Sequence, residues 1–358
     1  MKKLLLPALL MLAALTPASA EVTSKFKLDI YGFVKTDFIY ADHGTGTNEY
    51  RTYATGPADK AFRASARGSR FGFNISSGAY VSGKIEADFL GLTDSIGGTA
   101  GTTADVRLRH AYVAFKTGKT EILAGQTFYP ITADIPETYN DYFLGQSGAL
   151  WSRAPQLRAT YIPVKTLKLI AAVVRPTAKL TDAEGTHSGL PGVQGKIEKE
   201  FGKARISLAG AAGVWKSTYT THTADVDAVV AGFNVPLARF TVYGEAWTGR
   251  NLTDFLGGLG NTGYGTNTVP SKGGYLALKF KPTDTLWFNV IYGVDDPKNS
   301  KVLTTGKPTR NSTALANASV LLNGCVETGV EISSLNTEYK GSSDKSAITY
   351  QFTVKLLF

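Results

Sequence analysis

Cysteine occurs once in the 358 residues, at Cys325, so no internal disulfide can hold this fold together. The lone thiol reads as a turn residue rather than a nucleophile. Histidine is also scarce: His43, His110, His187 and His222 are the full set. Three of them fall in or beside loops. Enzymes of the hydrolase type need a histidine near a nucleophile or carboxylates, and no G-x-S-x-G, HExxH or Walker pattern is present. The glycine-rich stretch 257–260 is loop content, not a phosphate cradle. Past residue 20 no apolar run approaches the roughly 20 residues of a membrane helix, which excludes a helical membrane protein. No Pro/Ser-rich tract or block of charge divides the chain. Its length would allow two domains, but one large unit is the simpler reading.

What is present begins with a leader. Lys2 and Lys3 supply a positive start, 4–15 an apolar run, and Ala18-Ser19-Ala20 a small-residue cleavage site. This predicts a secretory signal over 1–20, removed before Glu21. The apolar run is too short for an anchor. The remaining unit, 21–358, has 338 residues, and losing two leader lysines takes the net charge from +9 to +7.

The far end is the most regular stretch. In 348–358, Ile348, Tyr350, Phe352, Val354, Leu356 and Phe358 fall on one face. Thr349, Gln351, Thr353 and Lys355 fall on the other, and only Leu357 breaks the rule. A period of two is that of a β-strand with one apolar and one polar face. A soluble protein rarely ends on such an edge, whereas in a closed membrane barrel the last strand pairs with the first and lipid covers its apolar side.

The pattern recurs along the chain. In 27–41, Leu28, Ile30, Val34, Phe38 and Tyr40 oppose Asp29, Lys35 and Asp37. Near 65–76, Phe71, Phe73 and Ile75 oppose Arg70, Gly72, Asn74 and Ser76. From 81, Val81, Ile85, Ala87 and Phe89 oppose Ser82, Lys84, Glu86 and Asp88. Further strands fall in pairs around short turns, the last at Asn323-Gly324. Turns of two to four residues alternate with Gly/Thr/Asn-rich loops, which is the rhythm of an outer-membrane barrel. The expectation is an all-β, transmembrane, antiparallel barrel of about 16 strands, its inner face charged in every strand and its lumen wet. A soluble sandwich or propeller would not explain that alternation throughout. Aromatics recur at strand ends (Tyr40, Phe89, Phe128, Tyr161, Phe201, Phe240, Phe280, Phe358), where rings suit a bilayer interface.

These pieces, in order, resemble the trimeric general porins of Gram-negative bacteria over nearly all of 21–358. Arg70-Phe71-Gly72-Phe73 is similar to their second-strand motif. The run 109–115, a short turn and Leu123-Ala124-Gly125-Gln126-Thr127-Phe128 are similar to the hairpin leading into their third loop. The wording sits closest to the DcaP-like porins, although the extended N-terminal segment of some of those is missing. The resemblance implies a homotrimer in the outer membrane, in contact with lipid and lipopolysaccharide, that passes small hydrophilic solutes. It implies that Phe358, with Leu356, Val354, Phe352 and Tyr350, is the signal read by the outer-membrane assembly machinery. It also implies that 129–150 folds inward and carries Asp134, Glu137 and Asp141 to the constriction.

Parity then predicts the facing wall. If Leu108 and Tyr112 face lipid, Arg107 and Arg109 face the lumen and His110 faces lipid or a neighbouring subunit. If Leu157, Ala159 and Tyr161 face lipid, Arg158 faces the lumen, and Arg70 does so by the same test. A lipid-facing arginine would cost about 2–4 kcal/mol at the midplane. Pro155 marks a possible bulge, so the parity of Arg153 is unreadable. Arginines opposite loop carboxylates make a transverse field that selects ions, and the positive balance favours anions. Nothing points to a metal, a cofactor or nucleic acid. The rival readings are a non-conducting or adhesin-like barrel and a barrel enzyme.

Overall fold

The computed structural model describes residues 26–46, 50–56, 60–91, 104–176, 188–216, 222–263, 267–298 and 303–358. The leader assigned to 1–20 lies outside them.

Seventeen strands follow one another in the sequence, joined in one antiparallel sheet. They are β1 (Lys27–Ala41), β2 (Ala61–Ser65), β3 (Arg70–Ser77), β4 (Val81–Asp88), β5 (Arg107–Thr117), β6 (Thr120–Phe128), β7 (Arg153–Val164), β8 (Leu167–Val174) and β9 (Gly192–Phe201). Then come β10 (Ala204–Lys216), β11 (Thr223–Leu237), β12 (Phe240–Arg250), β13 (Pro270–Phe280), β14 (Leu286–Pro297), β15 (Pro308–Leu322), β16 (Val326–Tyr339) and β17 (Lys345–Leu357). β2 pairs with the end of β1 and β3 with its start, so the two are one stave interrupted at 66–69. The barrel therefore has sixteen staves, and its second stave begins at Ala61, earlier than alternation alone placed it.

Closure is by β1 against β17, in register from Phe33 opposite Leu357 to Ala41 opposite Thr349. Gly32 and Phe358 exchange two backbone hydrogen bonds of 2.9 and 3.1 Å, so pairing continues to the last residue. The alternation read from 348–358 is the one observed. Tyr350, Phe352, Leu356 and Phe358 face out, while Thr349, Gln351 and Thr353 are buried inside. Across the seam, Phe38 stacks on Phe352 with centroids 6.2 Å apart, and Tyr40 meets Tyr350 at the same distance. Around the outer surface Ile30, Leu157, Val193 and Val290 are all more than half exposed, an arrangement that only lipid makes favourable. The turn at Asn323-Gly324 is left-handed at both residues, with φ of 50° and 72°.

The inner face is not charged throughout. From β7 to β12 one part of it is apolar: Ala154, Val174, Ala209, Trp215, Val226, Val230 and Trp247 are buried there, beside the buried polar Gln156, Gln194, Glu198 and Glu245. Tyr129, Ile131, Leu150, Leu252 and Phe255, all from connecting loops, complete this cluster. Loop segments have folded against this part of the wall, and the cluster they complete is packed like the core of a soluble protein. The opposite wall, β14 to β17, keeps the polar character: Asn289, Asn311, Thr313, Asn317, Thr337 and Thr353 are buried on it. The walls also differ in length. β4, β6 and β8 have 8, 9 and 8 residues, whereas β11 and β15 have 15 each.

The seam has a steric requirement at one residue. A Cβ on Gly32 would stand 2.3 Å from the Arg70 carbonyl oxygen and 2.8 Å from the Phe358 ring. Gly32→Val is expected to lower the yield of folded, heat-modifiable barrel on gels. Gly195→Ala, whose nearest neighbour would be 3.7 Å away, is expected to leave the yield unchanged. Equal yields would mean that the seam tolerates the side chain.

Candidate pore constriction

The segment between β6 and β7 folds into the lumen and crosses it, as anticipated for 129–150. Its route is fixed by hydrogen bonds to the walls. The Ile131 N–H donates to Gln194 Oε1 on β9 (3.1 Å), and Lys196 Nζ of the same strand donates to the Thr132 carbonyl (3.0 Å). The Leu150 N–H donates to Glu245 on β12 (2.6 Å). Ser147 Oγ meets Thr313 on β15 at 2.8 Å. The Tyr139 hydroxyl donates to Ser319 on β15 (2.7 Å), while its N–H donates to Glu331 on β16 (2.8 Å). The backbone needs clearance at these crossings. A Cβ on Gly293 would stand 2.1 Å from the Ser147 carbonyl, and one on Gly329 2.2 Å from the Tyr139 hydroxyl. Glycine at these two wall positions lets the loop lie against the strands.

The three loop acids go to different walls. Asp134 binds Arg205 of β10, and also accepts from Asn234 of β11 at 2.9 Å. Glu137 accepts from Lys279 of β13 at 2.7 and 2.8 Å. Asp141 alone meets the predicted arginine wall, accepting from Arg70 at 3.2 Å. It also accepts from Lys35 Nζ of β1 at 2.6 Å, and Lys35 is shared with Asp37 at 3.1 Å. Lys35 is 2% exposed, so this is a desolvated triad. Burial would raise the Asp141 carboxyl, but Lys35 and Arg70 outweigh it and hold it down at about 2. The break in the second stave makes the room: a Cβ on Gly68 would stand 2.8 Å from Asp141 Oδ2 and 3.0 Å from Lys35 Cδ.

The other arginines are occupied by the wall itself. Arg107 grips Asp88 on β4 through two bonds of 2.9 and 2.6 Å. Arg109 bridges Glu86 (2.6 Å) and Asp88 (2.8 Å). Arg158 donates only to neutral oxygens, Gln156 Oε1 (3.1 Å) and the Phe128 carbonyl (2.8 Å). Arg153 lies over the rings of Phe128 (5.1 Å) and Trp151 (5.4 Å).

His110 departs from its expected direction. The pairing of β4 and β5 passes from Glu86–His110 directly to Ala87–Leu108, leaving Arg109 as an extra residue. This bulge turns Arg109 and His110 both inward. His110 Nδ1 lies 2.9 Å from Thr127 Oγ1, and the ring is buried. Beyond the bulge parity is inverted: Val113 and Phe115 are exposed on the outside, so Tyr112 faces in and not to lipid. Lys35, Asp37, Glu86 and Asp88 were all visible as the polar faces of their strands. Their partnership with the arginines and the loop was not, because it depends on register across strands.

On the short-turn side of the loop lies a cavity of about 520 Å³. Arg70, Lys84, Arg109 and Lys355 line it, with Glu86, Glu137 and Glu327, and with the rings of Phe128, Phe143 and Trp287. Charges of both signs thus surround a space wide enough for water and small solutes.

A closed sixteen-stave barrel with a loop folded across its lumen is the architecture of the outer-membrane porins, and this chain has it. Among solved structures, the outer membrane channel DcaP of Acinetobacter baumannii matches with a TM-score of 0.78 at 19% identity, over 93% of this chain and 97% of that one. Salmonella typhi OmpF in complex with daunomycin matches at 0.64 and 12% identity, over 93% and 98%. The anion-selective porin from Comamonas acidovorans matches at 0.63 and 11% identity, over 93% and 100%. No family model matches the chain, and no curated protein does. At these identities the likeness is one of fold.

The triad makes two predictions. Lys35→Met removes the cation that Asp37 and Asp141 share, leaving Arg70 on Asp141 alone, and should destabilise the folded barrel by about 3–5 kcal/mol. The check is the temperature at which the heat-modifiable band converts. Because the Asp141 carboxyl is depressed, the stability it contributes is fully present above its ordinary value of 3.8 and is lost as pH falls through about 2. Loop docking, followed by protease resistance, should therefore be the same at pH 7 and pH 5.

Proposed function

We propose that this chain is an outer-membrane porin: a water-filled channel for passive diffusion of small hydrophilic solutes and ions, with a preference for anions. The observation that carries the reading is the charged cavity beside the inward loop, enclosed by a barrel whose outer face is apolar. In this reading the leader 1–20 directs export, and 348–358, ending on Phe358, is recognised by the assembly machinery. The functional unit is a homotrimer in contact with phospholipid and lipopolysaccharide. Its role is transport and not catalysis.

The anion preference rests on which charges are compensated. Asp134, Glu137, Asp141, Glu86 and Asp88 each have a basic partner. Arg158 donates to neutral oxygens alone, and among the described residues no carboxylate lies within 4 Å of it. Arginine stays protonated at any working pH, so Arg158 adds positive charge to the wall, offset in part by Glu121 nearby. Arg70, Arg107, Arg109 and Arg158 are the proposed wall residues, with Asp134, Glu137 and Asp141 as the loop charges that shape the field.

The test is the reversal potential of the reconstituted channel in a potassium chloride gradient. The wild type should favour chloride, and replacing Arg70 and Arg158 by glutamine should reduce that preference. The preference should fade near 1 M salt, where screening shortens to roughly 3 Å. A cation-preferring wild type, or a double variant of unchanged selectivity, would remove these arginines from the role.

A further inference from the structure

The constriction has a second wall that comes from outside the 129–150 loop. Segment 50–56, between β1 and β2, also enters the barrel. It lies against the polar wall of β15 to β17 and touches the inward loop. The Arg51 carbonyl accepts from Asn140 Nδ2 (2.9 Å), and the Thr52 carbonyl from Asn311 Nδ2 (2.8 Å). The Ala54 N–H donates to Thr337 (2.9 Å), and its carbonyl accepts from the Tyr339 hydroxyl (2.5 Å). The Thr55 carbonyl accepts from Lys345 (2.6 Å). At the leading edge, Tyr50 stands between the inward loop and the arginine wall. Its ring is 5.5 Å from that of Tyr142, and the Arg107 guanidinium lies 5.9 Å from its centroid.

The way this segment is held differs from the way the inward loop is held. Apolar anchoring is slight: Ala54 packs with Leu335 and Ala347 and little else. The remaining contacts to the barrel are hydrogen bonds, three of them from side chains of the wall (Asn311, Tyr339 and Lys345) to carbonyls of the segment. Water can replace each of them at small net cost. The buried Arg51 guanidinium is poorly matched. Its Nη2 meets Gln351 and lies 3.7 Å from Glu331, but Nε and Nη1 have no hydrogen-bond partner, and neither does Glu331 Oε1. A buried charge so incompletely satisfied works against the docked state. The inward loop, by contrast, is fixed by the Lys35 triad and by the apolar half of the barrel. Segments held mainly by exchangeable polar contacts are the ones that open first.

We propose that segment 50–56 is a lid on the constriction, docked in this structure, and that its withdrawal removes Tyr50 and Arg51 from the passage and widens it. The lid rests on the channel reading above. Opening exposes to water a face of β15 to β17 that carries Asn311 and Thr337, which water can satisfy, and only the small apolar contact of Leu335 and Ala347. It also removes one cation from the lumen, so the docked and open states differ in selectivity as well as in width.

Two measurements on trimer-competent, heat-modifiable protein test this. In a Cys325→Ser background, Thr52→Cys places a near-isosteric thiol on the buried face of the segment. Arg51→Gln added to it removes the charge. A water-soluble thiol reagent should label Thr52→Cys at a measurable rate, and Arg51→Gln should change that rate by roughly tenfold or more, since it alters the docked state and not the open one. In planar bilayers, Tyr50→Ala should raise single-channel conductance by roughly twofold, by removing the ring that packs between Tyr142 of the inward loop and Arg107 of the wall. Labelling that Arg51→Gln leaves unaltered, with conductance unchanged by Tyr50→Ala, would make the segment a fixed part of the wall and overturn the lid. A wild type and variants that all fail to conduct would instead overturn the channel reading, and the labelling would still decide whether the segment moves.

Discussion

Backbone hydrogen bonding in lipid is the constraint on which this structure depends. A strand facing hydrocarbon has no water to satisfy its N–H and C=O groups, so the sheet must have no free edge. Everything distinctive about the two chain ends follows from that. Among the described strands, β1 and β17 alone must find a partner far away in sequence, and their pairing runs unbroken to Gly32 and Phe358. The apolar stripe of 348–358 adds area against lipid, but the stripe is useful only because the polar backbone behind it is already paired. Stacked rings across the seam, Phe38 with Phe352 and Tyr40 with Tyr350, then fix the register.

Once the wall is closed, the interior becomes a problem of filling a cylinder wider than side chains can reach. This chain solves it unevenly. On the β7–β12 side, loop residues such as Tyr129, Ile131 and Phe255 meet Trp215 and Trp247 and make a dry core. On the β1–β5 side, charge is retained and compensated in ladders, from Arg107 through Asp88 and Arg109 to Glu86 and on to Tyr31 (2.8 Å). The inward loop separates the two regimes. Its apolar half is anchored by packing and its polar half by the Lys35 triad.

Strand number, direction and facing were legible in the sequence wherever alternation ran without interruption. The stretch 348–358 and the segment 27–41 are cases in point, since every outward residue named there is outward. Legibility failed where one residue was added. The bulge at Arg109 shifts parity, so Tyr112 and His110 both turn in, and nothing in the local composition marks it. It also failed wherever a side chain's partner lay on a non-adjacent element. Asp134, Glu137 and Asp141 were readable as loop acids, but their destinations on β10, β13 and β1–β3 depend on the path of the loop through space. The dry half of the lumen was hidden for a similar reason. Small residues such as Ala209 and Ala211 look like weak outward positions until the loops that cover them are placed.

The unequal strand lengths have a consequence for the surrounding bilayer. At about 3.3 Å per residue and a tilt of about 40°, an eight-residue strand rises roughly 20 Å, and a fifteen-residue strand nearly twice that. The hydrocarbon band of a barrel is about 25 Å tall. The β11 and β15 side therefore clears the membrane with residues to spare, and its outermost side chains, among them Arg310 paired with Glu338, sit at headgroup depth. On the β4–β8 side the strands β4, β6 and β8 fall short of that band's height, although β5 and β7 between them do not. A bilayer meeting the short strands there would thin by a few ångströms at a small cost per ångström, and another protein wall set against them would relieve the mismatch.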